Sequence, residues 1–454
     1  MPRSLFAGLT LLAVAAATDA ADWPQWMGPN RDAVWSEKDV VADFKNGPPK
    51  EKWRVAVGGG YSGPAVAGGR VYVSDKLLKP GVLNPEDPFD KAKLLSSERL
   101  LCCDAATGKT IWKHEYPVEY HISYPCGPRC TPLVHEGKVY SLGAMGDLVC
   151  LDAAANDAKL IWSKNFPKDF GSKVPMWGFS GHPIIHKNLL ICLVGGEKDA
   201  MYALDKNTGA TVWKSVVSSE TGYNSPVLIE SGGVTQLVVW MPKHLMSLNP
   251  QTGAKYWSVK LEPQHAMSIM SPRKDGEFLF AAGLGNVGVT LRLDPANPNK
   301  VDEVWRGNGA ANPADGAYPI NMTPFVDNGT VYAADQPGMF RAFDMKTGMR
   351  KWDTFKPIFG GEEEKPADFK APCATAFVVK NDTNGCFYLF TETGDLAIAK
   401  LSPKGYVELG RVHLLEPMCT ALNGRKAVWS HPAFANKSMY ARNDKHLICV
   451  PLAK

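Results

Sequence analysis

Short apolar segments recur along the chain, and each ends in a polar turn followed by a return segment that carries a tryptophan. In one copy Leu204 precedes the turn at residues 205–209, and Trp213 stands four positions after the glycine. Other clear copies run through residues 103–112, 248–257 and 343–352, and looser ones through 152–162 and 294–305. A period of about 45–50 residues indicates a stacked or radial repeat of one small structural unit.

The residue types within one copy predict its local structure. The apolar residues before Asp205 form a strand, and the aspartate side chain accepts hydrogen bonds from the amides of a tight turn. Gly209 supplies the positive φ that a short hairpin needs. A tryptophan on the return strand buries a large area, so we expect Trp213 and its counterparts to pack as wedges between neighbouring sheets.

Counting the repeats predicts how many sheets there are and how they close. Eight return strands are found, the first at Trp53 and the last, without a tryptophan, near Tyr406; eight strands precede the turns, the last at residues 446–450. The two series are out of step, so the first return strand and the last inner strand lack partners. We predict an all-β fold, an eight-bladed β-propeller of four-stranded blades closed by pairing the N-terminal outer strand with the C-terminal blade.

This repeated phrase resembles the tryptophan-docking repeat of quinoprotein-type, or PQQ-like, β-propellers. That family includes PQQ-dependent alcohol dehydrogenases and the propeller lipoprotein of the outer-membrane β-barrel assembly machinery. The stretch at residues 22–31 also resembles the mature start of secreted bacterial members. The resemblance implies the fold for nearly all of the chain, whereas catalytic and non-catalytic members share the repeat.

The start of the chain has the pattern of a secretory signal peptide, with Arg3, an apolar run at residues 5–17 and small residues up to Ala20. We therefore expect a signal peptide at residues 1–20, a single propeller domain at residues 21–454, and a periplasmic or secreted location. No cysteine follows the apolar run, so we expect no lipid anchor, and no other stretch is long enough for a membrane span. The formal charge of +4 without a basic stripe argues against nucleic acid as a partner.

The chain has ten cysteines, and two pairs of them bear on function. Cys126 and Cys130 bracket three loop residues and can close a short disulfide if their geometry allows it. PQQ-dependent alcohol dehydrogenases carry an adjacent cysteine pair bridged beside the quinone, and Cys102-Cys103 looks similar. The pair lies on a predicted strand, where adjacent side chains point to opposite faces, so we expect both to fill core positions.

Signs of a catalytic or metal site are few. A quinone–calcium site needs several converging oxygen ligands, and residues 283–286 only faintly resemble the glycine–asparagine segment of the dehydrogenases. No zinc-protease or serine-hydrolase motif occurs. We therefore expect no catalytic residue and no metal, and favour a non-catalytic protein-interaction or ligand-binding scaffold without a cofactor. The alternative is a PQQ- and calcium-dependent alcohol or sugar dehydrogenase.

A second repeat marks the start of the innermost strands, where a short polar phrase ends in proline. Proline fits there because the first residue of a strand need not donate to the ladder. In a propeller these starts surround one mouth of the central channel. Their serines and threonines either satisfy loop amides or form a funnel for a protein or small-molecule ligand. The candidate residues are Ser62, Arg129, Thr131, Trp177, His182, Tyr223, Ser225, Ser271, Thr323 and His431.

Three of these candidates have charges or pKa values suited to binding. Arg129 is the expected charged anchor for a ligand that accepts hydrogen bonds. His182 and His431 are expected to make the mouth sensitive to pH near neutrality, since an ordinary imidazole titrates there. Residues 75–99 form a predicted long loop in the first blade, which is either a partner surface or a tolerated excursion.

Overall fold

The computed structural model describes residues 21–196, 198–218, 220–308, 315–362, 364 and 373–454. Residues 1–20, for which the sequence predicts a signal peptide, lie outside the described residues. Helical structure in the described part is limited to the α-helix Phe166–Phe170 and the two 3-10 turns Gln264–Ala266 and Leu422–Gly424. The remaining regular structure is β-strand.

Eight sheets, each containing four antiparallel strands, form the blades, numbered here in chain order; the four strands are consecutive in blades 1 to 7. Blade 1 consists of Ala65–Ala67, Arg70–Leu78, Leu94–Asp104 and Thr110–Tyr120, and blade 2 of Leu133–His135, Lys138–Leu142, Asp147–Asp152 and Leu160–Asn165. Blade 3 consists of Ile184–His186, Leu189–Leu193, Met201–Asp205 and Thr211–Ser215, and blade 4 of Val227–Ser231, Val234–Trp240, His244–Leu248 and Lys255–Lys260. Blade 5 consists of Arg273–Asp275, Phe278–Gly283, Val287–Leu293 and Val301–Asn308, and blade 6 of Phe325–Asp327, Thr330–Ala334, Phe340–Asp344 and Arg350–Thr354. Blade 7 contains Ala376–Asn381, Phe387–Thr391, Asp395–Ser402 and Gly405–His413.

Blade 8 closes the ring in the predicted way. Its inner strands are Ala433–Ala435, Ser438–Arg442 and His446–Pro451, and its outer strand is Trp53–Ala56 from the other end of the chain. Trp53 lies opposite Cys449 and Ala56 opposite His446 in an antiparallel register. The all-β eight-bladed propeller is therefore confirmed, and closure gives blade 8 its fourth strand and covers the edge of His446–Pro451.

The repeated glycines and tryptophans meet across blade boundaries. The Nε1 atom of Trp162 donates to the carbonyl of Lys206, at 3.1 Å, in the turn of the next blade. The same turn contains Gly209, whose φ is 71° and where a Cβ atom would stand 2.8 Å from Cε3 of Trp162. Equivalent donations to a neighbouring blade are made by Trp53, Trp112, Trp213 and Trp352. The tryptophans therefore fasten one blade to the turn of the next.

Blade 1 differs from the expectation of a long loop at residues 75–99. Its strands Arg70–Leu78 and Leu94–Asp104 pair continuously as far as Leu78 opposite Ser96, so only residues 79–93 form the connection. Buried Glu98 explains the extension, because its carboxylate accepts hydrogen bonds from the hydroxyls of Tyr116 (2.6 Å) and Tyr120 and from the amide of Ala144 (2.9 Å). These three hydrogen bonds stabilise the buried carboxylate of Glu98, so this polar part of the strand Leu94–Asp104 lies in the interior.

Two short additions complete the described structure. Val34–Trp35 pairs in parallel with Ala376–Asn381, which makes blade 7 five-stranded. Cys419–Thr420 pairs with Lys426–Ala427 in a small ribbon between blades 7 and 8. The face of the ring at which the innermost strands begin is called the upper face below.

Candidate functional site

The central channel is occupied by residues 22–37 of the chain itself, called the channel segment here. Trp23 exchanges backbone hydrogen bonds with Val66 on the innermost strand of blade 1, at 2.8 and 2.9 Å. The carbonyl of Pro24 accepts from the amide of Val134 in blade 2, at 2.8 Å. Trp35 pairs with Asn381 on the innermost strand of blade 7. An open axial funnel is therefore absent from the described part of the chain.

Arg31 anchors the channel segment near the axis. It is 4% exposed, and its guanidinium donates to the carbonyls of Pro226 (3.1 Å), His182 (3.3 Å) and Pro183 at the starts of two innermost strands. Burial lowers the pKa of Arg31 to about 9. In return, Arg273 of blade 5 donates to the carbonyl of Arg31 at 2.8 Å. Backbone dipoles thus hold a buried charge and bind three blades to the segment.

Two predicted ligand-binding histidines contact Trp26 of the channel segment. The ring of Trp26 stacks on His182 with centroids 4.9 Å apart and meets His431 edge-on at 5.5 Å. Burial lowers the pKa of His431 to about 3, and burial together with the charge of Arg31 lowers that of His182 well below its ordinary value. The expectation that both titrate near neutrality is wrong, because both imidazoles are desolvated inside the ring.

Three of the predicted serines and threonines, Ser225, Ser271 and Thr323, connect the starts of neighbouring innermost strands. Ser225 Oγ accepts from the amide of His182 at 3.2 Å and lies 2.8 Å from its Nδ1 atom. Ser271 Oγ donates to the Ser225 carbonyl at 2.6 Å, and its amide donates to Thr323 Oγ1 at 3.0 Å. Ser62 and Thr131 are also buried, and Ser62 Oγ donates to the Gly63 carbonyl at 3.2 Å. These buried hydroxyls therefore form part of the wall of the ring and do not line an open binding site.

Arg129 organises the loops of the upper face. Its Nε atom donates to the carbonyl of Trp177 at 2.8 Å, and its other nitrogens donate to the carbonyls of Gly127, Ser123 (3.2 Å) and Tyr124 (2.6 Å). Four of its five N–H groups are thus committed to backbone. The side chain expected to be a free anchor for a ligand instead positions the surrounding loops.

Above the channel segment, aromatic rings cross the upper face from blade to blade. Phe89 meets Tyr124 at 5.2 Å, Tyr124 meets Trp429 at 5.8 Å, and Trp429 meets Tyr61 at 6.3 Å between centroids. The Arg129 guanidinium lies 4.9 Å from the Tyr61 ring centre. Trp177 packs edge-on against Tyr223 at 5.4 Å. We call these rings the aromatic face: Tyr61, Phe89, Tyr124, Trp177, Tyr223 and Trp429.

Sequence reasoning identified only part of this arrangement. It included Trp177 and Tyr223 among the candidates but missed the other four rings of the aromatic face. Tyr61 and Trp429 stand within two residues of the candidates Ser62 and His431, whereas Phe89 and Tyr124 come from the blade 1 connection and the loop after blade 1. It also gave no role to the channel segment. The sequence contained one indication of this segment. Trp23, Trp26 and Trp35 lie outside the repeat, and three large apolar side chains so close together are expected to be buried against the rest of the fold.

The adjacent cysteines do not fit a site for a bound quinone. Cys102 packs in a cluster with Tyr72 and Trp112, whereas Cys103 belongs to the separate core cluster that contains Trp53. They therefore occupy opposite faces of the third strand of blade 1, away from the axis, as core-filling residues should. Burial raises the pKa of Cys102 to about 11. The channel segment occupies the space on the axis that a ligand would need.

Cys126 also differs from one sequence-based possibility. Its sulfur lies against that of Cys419, 3.0 Å away, whereas Cys130 packs in a different cluster with Leu133 and Tyr140. The geometry therefore does not support a short Cys126–Cys130 bridge.

Comparison with known proteins agrees with the fold. The family model described as outer membrane protein assembly factor BamB matches residues 96–354, more than half of the chain. BamB of Yersinia pestis is 29% identical over 163 residues, which cover 35% of this chain and 40% of that protein. BamB of Shewanella oneidensis is 23% identical over 255 residues, 51% of this chain and 58% of that protein. The chain spans about half the length of the curated relatives it matches.

A solved structure shows the same architecture at low sequence identity. The crystal structure of BamB from Moraxella catarrhalis superimposes with a TM-score of 0.54 at 13% identity, covering 88% of this chain and 96% of that one. A quinohemoprotein alcohol dehydrogenase from Comamonas testosteroni is a more distant neighbour, with a TM-score of 0.46 at 13% identity over 95% of this chain and 81% of that one. Among the described residues, no helix has the length and apolarity to cross a bilayer. The chain belongs to the PQQ-like β-propeller family whose model is described as outer membrane protein assembly factor BamB.

Proposed function

We propose that the protein is an exported, non-catalytic scaffold that binds a protein partner through its aromatic face. The observation that carries this proposal is the channel segment, which fills the axis and moves any binding to the outside of the ring. The exposed ring of Phe89 and the partly exposed ring of Trp177 are suitable anchors for a partner, because aromatic side chains contribute much of the energy of protein interfaces.

The relatives support the choice of a protein partner. They carry the name outer membrane protein assembly factor, so a partner in the bacterial envelope is the natural candidate for this chain. In this proposal residues 1–20 direct export, residues 21–454 form the propeller, and the protein acts in the periplasm or outside the cell. A quinone-dependent dehydrogenase is not proposed, because Cys102 and Cys103 lie away from the axis and the segment with Trp26 occupies it.

Site-specific photo-crosslinking tests the proposal directly. Met176, next to Trp177, is 46% exposed on the upper face, and Val212, on the outer strand of blade 3, is 53% exposed. A photo-reactive residue is placed at one position or the other, and the full chain is irradiated in the native envelope. We expect a discrete protein adduct from position 176 and none from position 212. Adducts from position 212 alone would place the functional surface on the rim.

A pair of substitutions separates binding from folding. Trp177→Ala removes an edge-on contact with Tyr223 from the aromatic face, whereas Val407→Ala removes a side chain that is 57% exposed on blade 7. We expect Trp177→Ala to weaken capture of the crosslinked partner while the control retains it. The sequence alone suggests the double variant Arg129→Ala with His431→Ala as a test of partner binding. It is a poor test, because both residues support the fold and their loss is expected to lower the melting temperature.

A further inference from the structure

Cys126 and Cys419 are brought together on the upper face by segments 293 residues apart in sequence. Cys126 lies in the loop between blades 1 and 2, and Cys419 lies in the ribbon Cys419–Thr420 and Lys426–Ala427 that precedes blade 8. Their Sγ atoms are 3.0 Å apart, and both residues are buried. Tyr61 Oη lies 3.1 Å from Cys419 Sγ.

We propose that Cys126 and Cys419 form a disulfide that staples the propeller across its closing seam. The chain runs beside the two cysteines as it leaves the closing strand Trp53–Ala56 and enters blade 1. There a Cβ atom on Gly59 would stand 2.5 Å from the Cys126 carbonyl oxygen, and the amide of Tyr61 donates to the Pro128 carbonyl at 2.8 Å. A covalent link here joins the loop between blades 1 and 2 to the ribbon before blade 8, independently of the strand pairing.

A metal ion is the competing occupant, because Asp444 also approaches the two sulfurs. The ligand atoms of Cys126, Cys419 and Asp444 lie within 4.8 Å of one another. One Asp444 oxygen already accepts from the amide of Gly60 at 3.0 Å. Two sulfurs on one tetrahedral zinc ion, each about 2.3 Å from it, are roughly 3.8 Å apart. The observed approach of the sulfurs is closer than this, which favours a direct link between them.

Formation of the bond needs an oxidant with a reactive disulfide, such as an oxidised dithiol protein or oxidised glutathione. One thiolate of the pair attacks that disulfide and releases one oxidant thiolate, leaving a mixed disulfide. The second cysteine thiolate then attacks the sulfur of its partner and releases the other oxidant thiolate. Overall the protein loses two protons and two electrons, and the oxidant is reduced to two thiols. The proposed export of the chain would place it where such oxidants persist.

Mass mapping of the full chain tests the link. Reduced protein is refolded with oxidised glutathione, its free thiols are blocked in denaturant, and it is digested without reduction. We expect a linked peptide pair containing Cys126 and Cys419, and eight blocked thiols of the ten cysteines in the sequence. Ten blocked thiols, or a linked pair containing Cys130, would overturn the proposal. Release of one zinc ion per chain on denaturation, with ten blocked thiols, would assign the site to a metal instead.

A stability measurement adds a second readout. Dithiothreitol is expected to lower the melting temperature of the oxidised protein by on the order of 5 °C, because the link closes a very long loop. The matched control is Cys130→Ala, which removes another buried thiol four residues away and should respond to dithiothreitol like the wild type. Cys126→Ala with Cys419→Ala should show no response. An equal response in this double variant would refute the staple.

Discussion

The contact between the turn glycine and the tryptophan of the preceding blade gives a sharp test of how the blades are joined. Gly209 and Gly233 have nearly the same positive φ, 71° and 74°. A Cβ atom at Gly209 would stand 2.8 and 2.9 Å from ring atoms of Trp162, whereas one at Gly233 would meet nothing within 4 Å. Gly233→Ala is therefore a matched control for Gly209→Ala.

The two substitutions share one cost and differ in the other. Placing alanine in the left-handed region costs about 1–2 kcal/mol at either position. At Gly209 the methyl group must also displace a packed indole, and overpacking of this kind costs about 1–3 kcal/mol more. We therefore expect a loss of about 2–5 kcal/mol for Gly209→Ala and about 1–2 kcal/mol for Gly233→Ala.

Urea denaturation followed by far-ultraviolet circular dichroism measures both losses, and a third variant identifies their source. Trp162→Ala alone should cost about 3–5 kcal/mol. With the indole removed, Gly209→Ala should cost no more than Gly233→Ala does, so the double variant should be less destabilised than the sum of its parts. Equal losses for the two glycine variants, or strict additivity with Trp162→Ala, would refute the reasoning.

Three further predictions concern the axis and the seam. Arg31→Ala should lower stability by about 3 kcal/mol or more, measured by urea denaturation, since it leaves the buried carbonyls of three residues without their charged donor; an unchanged midpoint would contradict the anchoring role. The pKa of His431, about 3 when folded and about 6.5 when unfolded, means that stability is lost as pH falls below about 6.5, by on the order of 2–3 kcal/mol at pH 4.5. Thermal melts of His431→Gln should show a flatter pH profile over this range, and an unaltered profile would exclude His431 as the cause. Deleting residues 446–454 should expose two unpaired strand edges and lower the melting temperature sharply, whereas unchanged cooperative melting would contradict the closure.

The blade architecture could be predicted because its determinants are local and repeated. The turn of Asp205 to Gly209 and the tryptophan that follows lie within ten residues, so alternation, turn chemistry and spacing identify each unit in the sequence. The pairing of Trp53–Ala56 with His446–Pro451 followed from counting, since two leftover strands in a ring have one way to close. The separation of Cys102 from Cys103 followed from the alternation of side chains along a strand.

The candidate site could be predicted only in part, because its geometry depends on contacts between distant segments. The positions of His182 and His431 near the axis followed from the repeat, but their burial against Trp26 required a segment that no repeat describes. Arg129 was recognised as unusual, yet its hydrogen bonds to four carbonyls depend on loop paths that the sequence does not encode locally.

The sequence by itself determined the number of blades, their order and their closure, since periodic patterns of apolar, turn and tryptophan residues act over short distances. The tertiary structure alone decided what fills the channel, which rings form the aromatic face, and which cysteine meets Cys126. Cys126 and Cys419 meet because the ring brings the two sides of its seam together. Contacts across such separations depend on the packing of all the intervening blades, and no local pattern records them.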